Sequence, residues 1–231
     1  MQISTISFDG DMTLWDFRKV MRHSLKHTLA ELQRQVPTTR VLELTIDEMI
    51  AIREQFAEEV KGKIWNLEEI RLRAFERTLE HVGCKNKELA AHLNAIYRKH
   101  RFEDIELYPD VIPTFEALAP HFKLGLLSNG NTYPERCGLE GYFTFVVFSQ
   151  DVQVEKPDPR IFEITVERAG CELAQLLHVG DSLETDIAGA QNTGVPSIWL
   201  NRESVLNDTE TRPDYEVVSL TEIPAILGLD G

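Results

Sequence analysis

The chain has 231 residues, of which 42% are hydrophobic and 27% charged, and it carries a formal net charge of −14. This composition is typical of a soluble globular protein, and the negative charge disfavours binding to nucleic acid or to an anionic membrane. Three widely spaced cysteines, Cys84, Cys137 and Cys171, predict neither a disulfide framework nor a zinc site. The first residues lack the pattern of a secretory signal, so we expect a cytoplasmic protein.

The chain begins with a short β-rich run that leads into two acidic residues, Asp9 and Asp11. Side chains two residues apart in an extended backbone point to the same side, so one carboxylate can act as a nucleophile while the other transfers a proton. The pair also suits a hard cation. Taken alone, the same pattern is more often that of an acidic turn after a strand.

Residues 16–104 show helical periodicity with no β-rich interruption, which predicts an all-helical insert of four helices. The second helix follows Thr45, which forms a capping-box pattern with Glu48. The third ends at Gly83. The four helices are expected over residues 17–36, 45–61, 67–82 and 88–99.

After residue 105 short strands alternate with helices, which predicts βαβ units and a parallel sheet. The strands are expected over residues 122–127, 145–148, 176–179, 195–200 and 215–218. The helices are expected over residues 109–118, 131–137, 159–169, 184–192 and 220–227.

Polar residues follow three of the predicted strands. They are Asp9 with Asp11, Ser128 with Asn129, and Gly180 with Asp181. Because the carboxyl ends of parallel strands lie along one edge of a sheet, these residues are expected to converge on one pocket.

The residues of this edge match the needs of phosphoryl transfer through an aspartate. Asp9 suits the nucleophile and Asp11 the general acid and base, while Asp181 would complete a Mg²⁺ site. The transition-state oxygens need positive and hydrogen-bonding groups. The candidates are Ser128, the backbone at Asn129 and Gly130, and Lys156. Each has a plainer explanation as a turn, a helix cap or a surface lysine.

Four motifs carry a family resemblance by their order. They are Phe8-Asp-Gly-Asp-Met-Thr-Leu14, Leu127-Ser-Asn-Gly130, Glu155-Lys-Pro-Asp-Pro-Arg-Ile-Phe162 and Val179-Gly-Asp-Ser-Leu-Glu-Thr-Asp-Ile187. They resemble the motifs of the haloacid dehalogenase-like hydrolase superfamily. The resemblance implies a Rossmann-like α/β core formed by residues 1–15 and 105–231, with residues 16–104 as an inserted four-helix cap of the C1 type.

The resemblance also implies a role for each matching residue. Asp9 would be the phosphorylated nucleophile and Asp11 the general acid and base, with Thr13 as an orienting residue. Ser128, Asn129 and Lys156 would bind phosphate. Mg²⁺ would be held by Asp9, Asp181 and the backbone carbonyl of Asp11, and Asp186 would orient Lys156 or metal-bound water. Met12 departs from the family pattern, which has glycine there, and glycine tolerates backbone conformations that methionine rarely adopts.

The superfamily includes several chemistries. Haloacid dehalogenases lack a carboxylate at the position of Asp11, so its presence favours hydrolysis of phosphate monoesters. A phosphonate hydrolase would need a cap lysine, and the candidates are Lys19, Lys26, Lys61 and Lys63. A phosphomutase and a catalytically silent binding module also remain open. We expect a small phosphorylated metabolite as substrate, with His23, Arg53, Lys63 and Trp65 as candidate specificity residues of the cap.

Overall fold

The computed structural model describes residues 3–103 and 105–229 of the chain. The chain forms two compact units. One runs up to Asp16 and resumes at Glu106, and the other covers Phe17–Ile105. No helix among the described residues is long and apolar enough to cross a membrane.

The first unit is built on a six-stranded sheet in which every pairing is parallel. The strand order is β3-β2-β1-β4-β5-β6. The predicted parallel-sheet α/β fold is therefore confirmed. The strands are β1 (Thr5–Phe8), β2 (Lys123–Ser128), β3 (Phe145–Phe148), β4 (Leu176–Gly180), β5 (Ser197–Leu200) and β6 (Tyr215–Val217). All residues of β1, β4 and β5 are buried, as expected for a sheet covered on both faces.

The second unit is helical, but it has five helices among its described residues rather than the four predicted. They are α1 (Phe17–Gln35), α2 (Thr39–Glu43), α3 (Ile46–Glu59), α4 (Leu67–His81) and α5 (Lys87–Glu103). The short α2 was missed because it buries only Val41, and a single buried residue gives no helical periodicity to detect. The capping box of Thr45 and Glu48 is formed as predicted.

The remaining helices flank the sheet of the first unit. They are α6 (Val111–Leu118), α7 (Ser149–Val152), α8 (Pro159–Ala169), α9 (Ala188–Thr193) and α10 (Ile223–Ile226). The helix expected over residues 131–137 is wrong, because only Pro134–Arg136 form a 3-10 turn. Pro134 has no backbone N–H, so it cannot donate the hydrogen bond that a helix beginning near residue 131 would need at this position. Gly138 has a φ of +77°, which lies outside the helical region. The helix expected over residues 184–192 is α-helical only from Ala188, because its first residues belong to a π-helical turn, Leu183–Ile187, before α9.

Candidate active site

The order of the strands brings three predicted site segments to one edge of the sheet. Strand β1 lies between β2 and β4, and Phe8 is in register with Leu126 on one side and Val179 on the other. Asp9 and Asp181 therefore follow the carboxyl ends of β1 and β4, and Ser128 is the last residue of the neighbouring strand β2. This is the edge at which open α/β sheets bind their ligands.

Lys156 joins two acidic residues of this edge. Its Nζ donates to Asp9 Oδ1 at 2.7 Å, to Asp186 Oδ1 at 2.6 Å and to the carbonyl oxygen of Leu127 at 3.0 Å. All three donor positions of the ammonium group are thus used. Lys156 is 2% exposed, so the plainer interpretation of a surface lysine is excluded.

Asn129 holds the backbone of Lys156 in place. Its side-chain Nδ2 donates to the Lys156 carbonyl oxygen at 3.0 Å, and its Oδ1 accepts from the Lys156 backbone N–H at 2.9 Å. Any contact of Asn129 with a phosphate would therefore come from its backbone. Ser128 is buried, and its Oγ accepts from the Gly130 backbone N–H at 3.0 Å.

Asp181 lies between Thr13 and strand β5. Thr13 Oγ1 donates to Asp181 Oδ1 at 3.3 Å, and Trp199 Nε1 donates to the Asp181 carbonyl oxygen at 2.9 Å. Thr13 is completely buried, so its hydroxyl is fixed by packing. The predicted orienting position of Thr13 is thus beside the predicted metal ligand.

Asp186 is occupied by hydrogen-bond donors on both of its carboxylate oxygens. Oδ1 accepts from Lys156 and lies 3.0 Å from His178 Nε2, while Oδ2 accepts from the Ser182 backbone N–H at 3.0 Å. Gly180 makes this position possible, because a Cβ there would lie 2.2 Å from Asp186 Cγ. The arrangement is that of a residue which positions Lys156.

Burial and neighbouring charge shift the pKa values of these groups. Burial raises the pKa of Asp9 well above its usual range, against the opposing charge of Lys156. Burial and the charge of Asp186 raise the pKa of Asp181 to about 6. Burial would raise the pKa of Asp186, but the charges and hydrogen bonds of Lys156 and His178 together outweigh burial and lower that pKa. Burial would lower the pKa of Lys156, but Asp186 and Asp9 outweigh it and raise that pKa.

These carboxylates fit a divalent cation. Ligand oxygens of Asp9, Asp181 and Asp186 lie within 4.8 Å of one another. The three carboxylates face one ammonium group, that of Lys156, which leaves two negative charges uncompensated when all are ionised. Oxygen donors are the ligands that Mg²⁺ prefers. Because Asp186 is already occupied by donors, Asp9 and Asp181 are the carboxylates that remain for an ion.

Asp11 is oriented by a residue that the sequence analysis did not single out. Trp15 Nε1 donates to Asp11 Oδ1 at 2.7 Å, and the Trp15 side chain is 1% exposed. The other oxygen, Oδ2, lies on the side of Gly130, where a Cβ would be 2.7 Å away from it. The sequence shows a tryptophan four residues after Asp11, but no local pattern indicated that its indole N–H would donate to the Asp11 carboxylate.

Two further residues of this region were also missed. His178 is completely buried in β4, with Nδ1 2.9 Å from Ser7 Oγ and Nε2 facing Asp186. Arg202 donates to the Thr13 carbonyl oxygen at 2.9 Å and to both carboxylate oxygens of Asp110, at 2.8 Å and 3.0 Å. The only sequence signal for His178 was a histidine inside an otherwise apolar strand.

Comparison with known proteins gives consistent results. The haloacid dehalogenase-like hydrolase family model matches residues 6–200. The chain is 27% identical to 5-amino-6-(5-phospho-D-ribitylamino)uracil phosphatase YigB of Escherichia coli strain K12, over 98% of this chain and 97% of that protein. It is also 27% identical to human N-acylneuraminate-9-phosphatase, over 98% of this chain and 94% of that protein.

The structure is similar to a crystal structure described as 2-haloacid dehalogenase from Pseudomonas syringae pv. tomato DC3000. The TM-score is 0.84 with 30% sequence identity, and the match covers 99% of each chain. The family model spans most of the chain and includes all four motifs from which the resemblance was drawn. The chain therefore belongs to the haloacid dehalogenase-like hydrolase family.

Proposed function

We propose that this protein is a Mg²⁺-dependent phosphatase that hydrolyses small phosphate monoesters through a phosphorylated Asp9. The observation that carries the proposal is the bonding of Lys156 to both Asp9 and Asp186 beside Asp181, at the edge of the sheet where ligands bind. This combination supplies a nucleophile, a fixed positive charge and oxygen ligands in one place.

The hydrogen bond from Lys156 distinguishes the two carboxylate oxygens of Asp9. Oδ1 is held by Lys156, so Oδ2 is the oxygen available to attack phosphorus. In that step the Asp9 Oδ2–P bond forms and the bond from phosphorus to the leaving oxygen breaks. Ser128 would donate to a phosphoryl oxygen. The ammonium group of Lys156, whose three N–H groups donate to Asp9, Asp186 and Leu127, would stabilise the phosphoryl oxygens as a fixed positive charge.

Asp11 would carry the proton in both halves of the reaction. Trp15 fixes Oδ1, which leaves Oδ2 to donate a proton to the leaving oxygen. The same oxygen then takes a proton from water as the water attacks the phosphoryl group on Asp9, and inorganic phosphate leaves. Asp9 and Asp11 are thus both regenerated.

The Mg²⁺ ion would be held by Asp9, Asp181 and the backbone carbonyl of Asp11. When bound, it would neutralise charge between the carboxylates and the phosphate. The chain supports this by its geometry, because Thr13 fixes Asp181 and Asp186 keeps Lys156 on Asp9.

The substrate class is proposed from the relatives, whose names describe small phosphorylated compounds. We further propose that the helical unit, as a cap, selects among such substrates, with His23, Arg53, Lys63 and Trp65 as candidate residues. No nucleic acid or membrane partner is proposed, in keeping with the net charge of −14.

Haloacid dehalogenation is the second candidate, because the 30% identical structure carries that name. A halide leaves without needing a proton, so a dehalogenase has no use for a general acid at position 11. Asp11, with one oxygen fixed by Trp15 and the other directed towards Gly130, favours the phosphatase.

The test is hydrolysis of p-nitrophenyl phosphate with Mg²⁺ and with EDTA, beside chloride release from 2-chloropropionate. We expect Mg²⁺-dependent phosphate release, its complete loss in Asp9→Asn and a loss of about 10²- to 10⁴-fold in Asp11→Asn. Asp208→Asn, at an exposed position, serves as the matched control. Chloride release without phosphate release, or an Asp9→Asn variant as active as the parent, would overturn the proposal.

A further inference from the structure

Three histidines of the helical unit lie together on helices α1 and α5. His23 and His27 are one helical turn apart on α1, and His100 is in the last turn of α5. One ring nitrogen from each of the three lies within 4.8 Å of the others. None of these residues belongs to the four motifs, and none takes part in a chemical step of the proposed hydrolysis, although His23 is also a candidate for substrate selection.

The spacing of the three rings is close to what a shared metal ion needs. The ring centroids of His23 and His27 are 4.7 Å apart, and those of His27 and His100 are 3.8 Å apart. Nitrogen ligands at about 2.0–2.1 Å from a tetrahedral Zn²⁺ lie about 3.3 Å from one another, so small side-chain rotations suffice. The His27 and His100 rings are stacked at 8° and must turn apart for their lone pairs to converge.

We propose that His23, His27 and His100 bind one divalent transition-metal ion, Zn²⁺, Ni²⁺ or Cu²⁺, which links helix α1 to helix α5. Imidazole nitrogen is a ligand that these ions prefer and that Mg²⁺ does not. The i, i+4 pair on α1 presents two nitrogens on one face of that helix, and α5 adds the third.

The surroundings permit such a site. His23 and His27 are exposed and His100 is half-buried, so an ion can enter and water can complete its coordination. Lys19 and Lys26, within one turn of His23, are exposed as well, and solvent screens their repulsion of a cation. The ion would join the first and last helices of the unit, which are α1 and α5.

Isothermal titration with Zn²⁺, in excess Mg²⁺ and with the full chain, tests the site. We expect the parent to bind one Zn²⁺ per chain. Each of the variants His23→Asn, His27→Asn and His100→Asn should lose this binding or bind Zn²⁺ at least about tenfold more weakly. The matched control is His92→Asn, also on α5, where the histidine lies 3.0 Å from Glu31 Oε1 instead. Equal binding by the parent and the His27→Asn variant would overturn the proposal, as would equal loss in the His92→Asn control.

Electron paramagnetic resonance of bound Cu²⁺ gives an independent measure. The parent should show three coordinated nitrogens, and each of the three single variants should show two. A spectrum that is the same in the parent and in all three variants would mean that Cu²⁺ binds elsewhere. Circular dichroism of every variant confirms that the helices remain folded, because substitutions at these partly exposed positions remove little buried surface.

Discussion

Met12 holds a backbone conformation that methionine rarely adopts. Its φ is +67°, in the left-handed region that glycine favours, and its N–H donates to the Trp15 carbonyl oxygen at 2.8 Å. The turn between Asp11 and Trp15 is therefore formed despite the departure from the family pattern. The conformation costs about 1–2 kcal/mol for a residue with a Cβ, and the surrounding contacts must offset it.

His178 allows a prediction about pH. It is completely buried, and burial lowers its pKa below the usual 6.5. The unfolded chain thus binds a proton near pH 6.5 that the folded chain does not, so the contribution of His178 to stability is present above that pH and lost as the pH falls.

The variant His178→Gln removes this contribution. The free energy of unfolding of the parent should fall between about pH 7 and about pH 5.5. In the His178→Gln variant this fall should be smaller, by up to about 1 kcal/mol. Urea unfolding across this range measures the difference, with His121→Gln at an exposed position as control. Parallel curves for the parent and the His178→Gln variant would contradict the prediction.

At the level of secondary structure, helix α4 buries a charged residue, Arg71, that forms no ion pair within the described part of the chain. Arg71 is 6% exposed, and its Nη1 has no hydrogen-bond partner among the described residues. Its guanidinium lies 5.2 Å from the centroid of the Tyr97 ring. Burial, with the charge of Arg101, lowers the pKa of Arg71 to about 10. Helix α4 is therefore held by packing at this position in spite of the buried charge.

Arg71→Met should raise the free energy of unfolding by about 1–3 kcal/mol, because an apolar side chain needs no desolvation of charge. Chemical denaturation measures the change. Arg73→Met on the same helix is the matched control, since Arg73 forms only an exposed i, i+4 ion pair with Glu69 and should change stability by less than about 1 kcal/mol. Marked destabilisation by Arg71→Met would show that the guanidinium has a stabilising partner.

For the whole molecule, negative charge is present both as an excess over the entire chain and as a cluster of carboxylates at the edge of the sheet. The chain carries −14 in total, and three carboxylates meet one lysine at the edge of the sheet. Any salt screens the general repulsion, whereas only an ion bound at Asp9 and Asp181 relieves the local charge.

Mg²⁺ should therefore raise the melting temperature more than NaCl at the same ionic strength. At a concentration about 100 times its dissociation constant, the ion contributes about 2.7 kcal/mol. Differential scanning fluorimetry with the parent and with Asp181→Asn measures the effect, and the specific part should vanish in the variant. If NaCl and Mg²⁺ raise the melting temperature equally in the parent, the ion does not bind at this edge.

The fold and the family could be predicted from the sequence. Buried strands alternate with helices, and each motif follows a strand, so local pattern alone indicated a parallel sheet with its polar residues at one edge. Short elements were harder to predict. Helix α2 and the 3-10 turn at Pro134–Arg136 have too few residues to show a period, so the number of helices and one helix assignment were wrong.

The residues at the strand ends could be predicted from the amino-acid sequence, because strand period and turn chemistry are local properties. Which oxygen of each carboxylate accepts a hydrogen bond, and which stays available, depends instead on contacts between distant parts of the chain. Lys156 reaches Asp9 across 147 positions, and His178 lies beside Ser7 across 171. Contacts between such distant residues depend on how the strands are ordered in the sheet, and no local pattern of residues encodes that order.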